Sequence, residues 1–167
     1  MYLIDANVLI EAKNRYYAFD IAPGFWAWLD HAYMSRSICS IDAVRDELLE
    51  GNDELAVWAD QHRALFLPMD AQSTAHFPTL AGWANSRQYT AAAIEEFTSN
   101  TADFYLIAFA KANGHVVVTH EQPKPDARKR VLIPDACIAM NVEFVDTFTM
   151  LRKTGAKLHF TPPSASG

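Results

Sequence analysis

Short runs of strand-forming residues, each followed by a polar turn and then a helical stretch, limit what this chain can fold into. His115-Val116-Val117-Val118-Thr119 is the clearest run, and its unbroken β-branched centre predicts a strand buried on both faces. Tyr2-Leu3-Ile4, Ser37-Ile38-Cys39-Ser40, Leu65-Phe66-Leu67 and Val142-Glu143-Phe144 are the other strand candidates. Strands that alternate with helices imply an α/β protein with a mainly parallel sheet covered on both faces. Parallel sheets of this kind bind ligands beyond the carboxyl ends of their strands, so polar residues at those ends are the first to question.

The helical segments are read from caps and periodicity. Asn7 is expected to cap a short helix through Lys13, and Phe25, Trp26 and Leu29 share a face of a segment running from 19 to 33. Asp42 opens a helix closed by Gly51, and Asn52 or Asp53 caps the helix carrying Leu55, Val57 and Trp58. An alanine-rich helical region, 71–97, is broken by Pro78 and by residues 85–88. Asn100 or Thr101 caps the apolar helix 102–112, which Asn113-Gly114 ends, and a Pro-rich, basic loop over 121–130 leads to a helix over 135–140.

At 167 residues the chain has the length of one domain, expected over 1–160 with a frayed tail over 161–167. Its longest apolar stretch, 104–110, is far below the roughly 20 residues needed to cross a bilayer. Asp5 interrupts the first hydrophobic run, which argues against a signal peptide and for the cytoplasm. Cys39 and Cys137 form no CxxC pair and read as small buried hydrophobes, and the six histidines show no zinc-ligand spacing. No GxSxG, GxGxxG or Walker sequence is present. The net charge of −6 argues against holding a polyanion by bulk charge. Local charge is another matter, because Lys124, Arg128, Lys129 and Arg130 gather on one loop.

Four acids stand at element ends or on apolar faces. Asp5 follows the first strand, and Glu121 follows the strongest one with Thr119 two residues before it. Glu47 borders the Ile41, Val44 and Leu48 face of its helix, and Asp103 lies amid Leu106, Ile107 and Ala110. A carboxylate buried without a partner costs several kcal/mol. One device explains the set: mutually repulsive carboxylates that hold Mg²⁺ or Mn²⁺.

Leu3-Ile4-Asp5-Ala6-Asn7-Val8-Leu9-Ile10, Glu47 within 44–48, Asp103 within 101–108, and Val117-Val118-Thr119-His120-Glu121 together resemble a PIN domain in order and spacing over nearly the whole chain. The resemblance implies a three-layer α/β/α sandwich with a mostly parallel sheet of about five strands. It implies a metal-dependent ribonuclease, the VapC-type toxin of a bacterial toxin–antitoxin pair, acting on RNA with an antitoxin as partner. Asp5, Glu47 and Asp103 match the family's strongest acidic positions, Asn7 the small polar residue after the first, and Thr119 and Glu121 its T-x-D with Glu in place of Asp. Mg²⁺ or Mn²⁺ would sit on Asp5, Glu47, Asp103 and Glu121, with Asp126 as a reserve fourth acid, and Lys124, Arg128, Lys129 and Arg130 would touch phosphates. Phe25, Trp26 and Trp28 are candidates for a homodimer or antitoxin surface, and the insert over 68–97 has no assigned role. Two rivals stand beside this. A haloacid-dehalogenase-type phosphatase also carries an aspartate after its first strand but wants a second acid where Asn7 stands, and a catalytically inactive PIN-like module would only bind a partner.

Overall fold

A computed structural model describes residues 1–99 and 101–158. The strands are β1 (Tyr2–Ile4), β2 (Ile38–Ile41), β3 (Phe66–Leu67), β4 (Val116–Val118) and β5 (Phe144–Val145). They form one sheet in the order β3-β2-β1-β4-β5, and every neighbouring pair is parallel. The α/β class and the five-stranded parallel sheet expected from the sequence are therefore present. β1 lies at the centre, with Leu3 opposite Cys39 on one side and Val117 on the other. All four residues of β2 are buried, as are Leu3, Ile4, Val117 and Val118, so helices cover both faces.

The helices are α1 (Ala6–Glu11), α2 (Pro23–Met34), α3 (Asp42–Glu50), α4 (Glu54–Gln61), α5 (Ala71–Thr74), α6 (Phe77–Ser86), α7 (Ala91–Thr98), α8 (Ala102–Asn113), α9 (Ile133–Met140) and α10 (Thr147–Lys153). α1 continues as a π-helical stretch, Ala12–Tyr16. Asp53 caps α4 by accepting from the Leu55 and Ala56 N–H groups, and Gly114 ends α8 in the left-handed conformation, both as the sequence predicts.

Several boundaries differ for identifiable reasons. Asp5, not Asn7, is the N-cap of α1, because the helix starts directly at the end of β1. α2 begins only at Pro23, whose fixed φ suits a first helical turn. The same property makes Pro78 the opening of α6 and Pro134 part of the opening of α9, where the sequence reading placed a break and a later start. Val142 is not in β5: its N–H returns to Cys137 O and closes α9 behind the left-handed Asn141, so pairing begins at Phe144. α10 was not foreseen, and Asp146 caps it by accepting from the Thr149 N–H. Phe25 and Trp26 are core residues and Trp28 is half-buried against them, which removes this group as a surface for a partner. Asn100, one candidate cap for α8, and the tail over 161–167 lie outside the described residues. Among those residues no helix is long and apolar enough to cross a membrane.

The insert over 68–97 folds as α5, α6 and α7, which pack on α8. It thus walls the region where Asp103 begins its helix.

Candidate active site

Parallel pairing sets the carboxyl ends of β1 and β4 side by side, so the residues that follow them share one sheet edge. The Asp5 N–H donates to Val118 O at 3.1 Å, and the Asp5 carboxylate accepts from Thr119 Oγ1 at 3.1 Å. Thr119 Oγ1 in turn accepts from the Glu121 N–H at 3.2 Å. One hydroxyl therefore ties the end of the first strand to the turn after the fourth. From the other side Ser40 Oγ donates to Ile4 O at 2.7 Å and fixes the peptide just before Asp5. Sequence reasoning passed over Ser40, although a serine inside an apolar strand is a signal, since a buried hydroxyl needs a partner.

Asp5 is 1% exposed and makes no side-chain bond to the helix it starts, so its carboxylate is left to the cleft. Asp103 comes from the first turn of α8, and Glu47 projects from α3 at the exposed end of the group. Burial and then the negative charge of Asp103 push the Asp5 carboxyl well above the usual carboxylate range; the Thr119 hydroxyl opposes this, and Glu121 and Glu47 add to it. Asp103 is pushed up to about 6 by burial and then by Glu121, with Arg130 offsetting part of the rise and Glu47 adding to it. Glu47 is raised by partial burial and then by Glu50, against the pull of Arg130. Four carboxylates from four separate segments therefore act on one another. Beneath them the Cys137 thiol of α9 is pushed up to about 12 by burial and then by Asp5 and Glu121, which keeps it protonated and inert as the sequence reading expected.

Arg130 is the cation that answers this charge. Its Nη2 lies 2.8 Å from Glu121 Oε1 and 3.7 Å from Asp103 Oδ2. The other Glu121 oxygen accepts from the Ile133 N–H at 2.8 Å, so this side chain also receives the free N–H of the first turn of α9. Asp5 and Glu47 form no ion pair among the described residues. In the same set no group of three or more His, Cys, Asp or Glu side chains is arranged so that it could hold a metal ion as placed. The donors fit a hard cation in kind, being carboxyl oxygens, while as placed they do not surround one and a guanidinium bridges two of them.

The remaining predicted residues divide between this centre and its surroundings. Asn7 is in the first turn of α1, two residues beyond Asp5. Asp126 is exposed on the loop and is not among the charges that act on Asp5 or Asp103, so Glu121 is the acid that joins the cluster. Of the basic loop, only Arg130 reaches the acids. Arg128 Nη2 donates to Gln88 Oε1 at 2.8 Å, and Arg128 O accepts from the Thr90 N–H, which fastens the loop to the insert. Lys124 and Lys129 are exposed. The Lys124 N–H donates to both carboxylate oxygens of the buried Asp135, a loop anchor that the sequence reading did not single out. Beside Glu47 a groove of about 660 Å³ continues, with Asp42, Asp46 and Glu50 of α3 on one side and Phe77 of the insert and Tyr105 of α8 on the other.

A family model described as "Domain of unknown function (DUF4411)" matches residues 2–158. Two solved structures share the fold. FitAB bound to an IR36 DNA fragment aligns at 19% identity with a TM-score of 0.54, covering 87% of this chain and 94% of that one. FitAcB from Neisseria gonorrhoeae aligns at 20% identity with a TM-score of 0.52, covering 86% of this chain and 96% of that one. No curated protein matches the sequence.

Proposed function

The chain belongs to the family described as a domain of unknown function, DUF4411, and from that premise we propose that it is a PIN-type endoribonuclease dependent on Mg²⁺ or Mn²⁺, the toxin of a toxin–antitoxin pair. One observation carries the reading: the buried Asp5 feels three further carboxylates brought from separate elements, and its one side-chain partner is a neutral hydroxyl. Such an arrangement is costly to fold unless its charge has a use.

In this reading Asp5, Glu47, Asp103 and Glu121 would hold the ion. A bound divalent cation supplies an activated water and neutralises charge that develops on the phosphodiester. The chain's own residues do the rest. Thr119 fixes the Asp5 carboxylate and holds the Glu121 backbone in step with it. Asn7, in the turn after Asp5, is the polar residue nearest in sequence to support that carboxylate. Arg130 lies at the acids and is exposed, which suits it to a phosphate oxygen next to the bond that breaks. Lys124, Arg128 and Lys129 follow along the same loop and would meet flanking phosphates. FitAB is bound to a DNA fragment; for this chain, with its net charge of −6, we assign any DNA contact to a partner antitoxin.

Purified protein incubated with mixed cellular RNA in Mg²⁺, Mn²⁺ or EDTA, beside Asp5→Ala, tests this. Cleavage with either ion is expected, with none in EDTA or in the variant. Cleavage that persists in EDTA or in Asp5→Ala would rule the mechanism out, and a folded protein inactive under every condition would favour the binding-module alternative.

A further inference from the structure

The sheet edge that carries the acids also carries exposed aromatic rings that the chemistry above leaves unused. Tyr16 ends the π-helical stretch after α1, Phe148 lies in the first turn of α10, and His120 sits between Thr119 and Glu121. The Tyr16 ring centroid is 6.3 Å from that of Phe148 at 74°, and 6.3 Å from that of His120 at 43°. Tyr16 is 52% and Phe148 44% exposed, and among the described residues they are the only aromatic side chains in the set of exposed large hydrophobic residues. Each stands on fixed structure. His120 Nε2 is 3.3 Å from Thr147 Oγ1 and 3.9 Å from Glu11 Oε2, and the Asp146 cap holds the turn that bears Phe148.

Resting on the ribonuclease reading above, we infer that Tyr16, Phe148 and His120 form a platform on which an unpaired base of single-stranded RNA stacks, next to the phosphodiester presented to the carboxylates. Three features point to a base. Flat π-faces accept any base once it is unstacked from its neighbours, so the contact requires a single strand and tolerates sequence. A chain of net charge −6 whose cleft is acidic gains from a contact that needs no counter-charge at all. Charge also stands close by, with Glu11 beside His120, Arg15 next to Tyr16 in the chain and Asp146 two residues before Phe148, whereas the buried centre of a protein interface is depleted of charge. His120 joins the rings to the acids, with Thr119 and Glu121 on either side of it in the chain.

The test uses the full chain carrying Asp5→Asn, which should bind without cutting, and a mixed-sequence single-stranded RNA containing 2-aminopurine, beside the same sequence as a duplex. Tyr16→Ala and Phe148→Ala are each expected to weaken single-strand binding roughly 5- to 100-fold and to abolish the quenching of 2-aminopurine. The salt dependence and the duplex affinity should stay as they were. Phe148→Trp should keep both affinity and quenching, and Phe148→Leu, which retains apolar bulk, should keep neither. Unchanged single-strand affinity in both alanine variants would overturn the platform and leave the rings to a protein partner; equal losses on single strand and duplex would overturn it as well. Failure of the ribonuclease reading looks different: quenching on the parent would persist while the wild-type protein cuts no RNA with either ion.

Discussion

A single guanidinium answers two of the four carboxylates in the cleft, and that ratio governs what the site does. Arg130 offsets part of the rise that burial and Glu121 cause at Asp103, and it pairs with Asp103 and Glu121, two of the residues that would hold an ion. Arg130→Ala should therefore raise the Asp103 carboxyl above about 6 and tighten Mn²⁺ binding by roughly tenfold, while RNA binding weakens. NMR titration of the carboxyl and Mn²⁺ EPR read the two effects, and weaker Mn²⁺ binding in the variant would show that Arg130 helps the ion instead of competing with it. Much of this was legible beforehand. Asp5 and Asp103 announce themselves as acids at a strand end and on an apolar helix face, because burial of charge has few innocent explanations. The second task of Glu121 was not legible. It depends on a loop that brings the Ile133 N–H back to it across 12 residues, and the longer side chain serves both that N–H and Arg130.

The segment from Glu121 to α9 is a strap fastened at both ends and in the middle. Glu121 takes the Ile133 N–H, Asp135 takes the Lys124 N–H, and Arg128 clasps the turn between α6 and α7. Asp135→Ala should cost about 1–3 kcal/mol, since it leaves a backbone N–H unpaired near a buried site; urea denaturation measures it, and a loss below a few tenths would mean that water replaces the carboxylate. Lys129→Ala should lower the slope of log K against log salt for RNA by about one. An unchanged slope would take Lys129 out of the phosphate path. At this scale the strands were easiest to read, because β-branched runs leave little else to form. α10 was missed since Thr147-Phe148-Thr149 favours strands by composition, and only the Asp146 cap turns it helical. The proline-marked starts of α6 and α9 were misplaced for a similar reason, as proline can end one helix or begin another.

Across the whole molecule, the gathered acids link folding to pH. The Asp103 carboxyl rises from its ordinary 3.8 to about 6 in the folded chain, so the native state keeps a proton that the unfolded chain has already released. Its contribution to stability is complete below pH 4 and falls away as pH rises through 6. In EDTA, Asp103→Asn should match the parent near pH 4 and exceed it at pH 7 by up to ~3 kcal/mol. Thermal melts across that range check this, and Mn²⁺ should close the gap by stabilising the parent. A parent that melts no lower than the variant at pH 7 would remove the strain from the account.

The same parallel order dictates when the acidic centre can form at all. β1 is made long before β4, yet β4 is one of its two partners, and Thr119 reaches Asp5 from 114 residues further on. During synthesis the four acids of the cleft therefore stay apart until the chain has grown past Glu121, so no partial product carries the gathered charge.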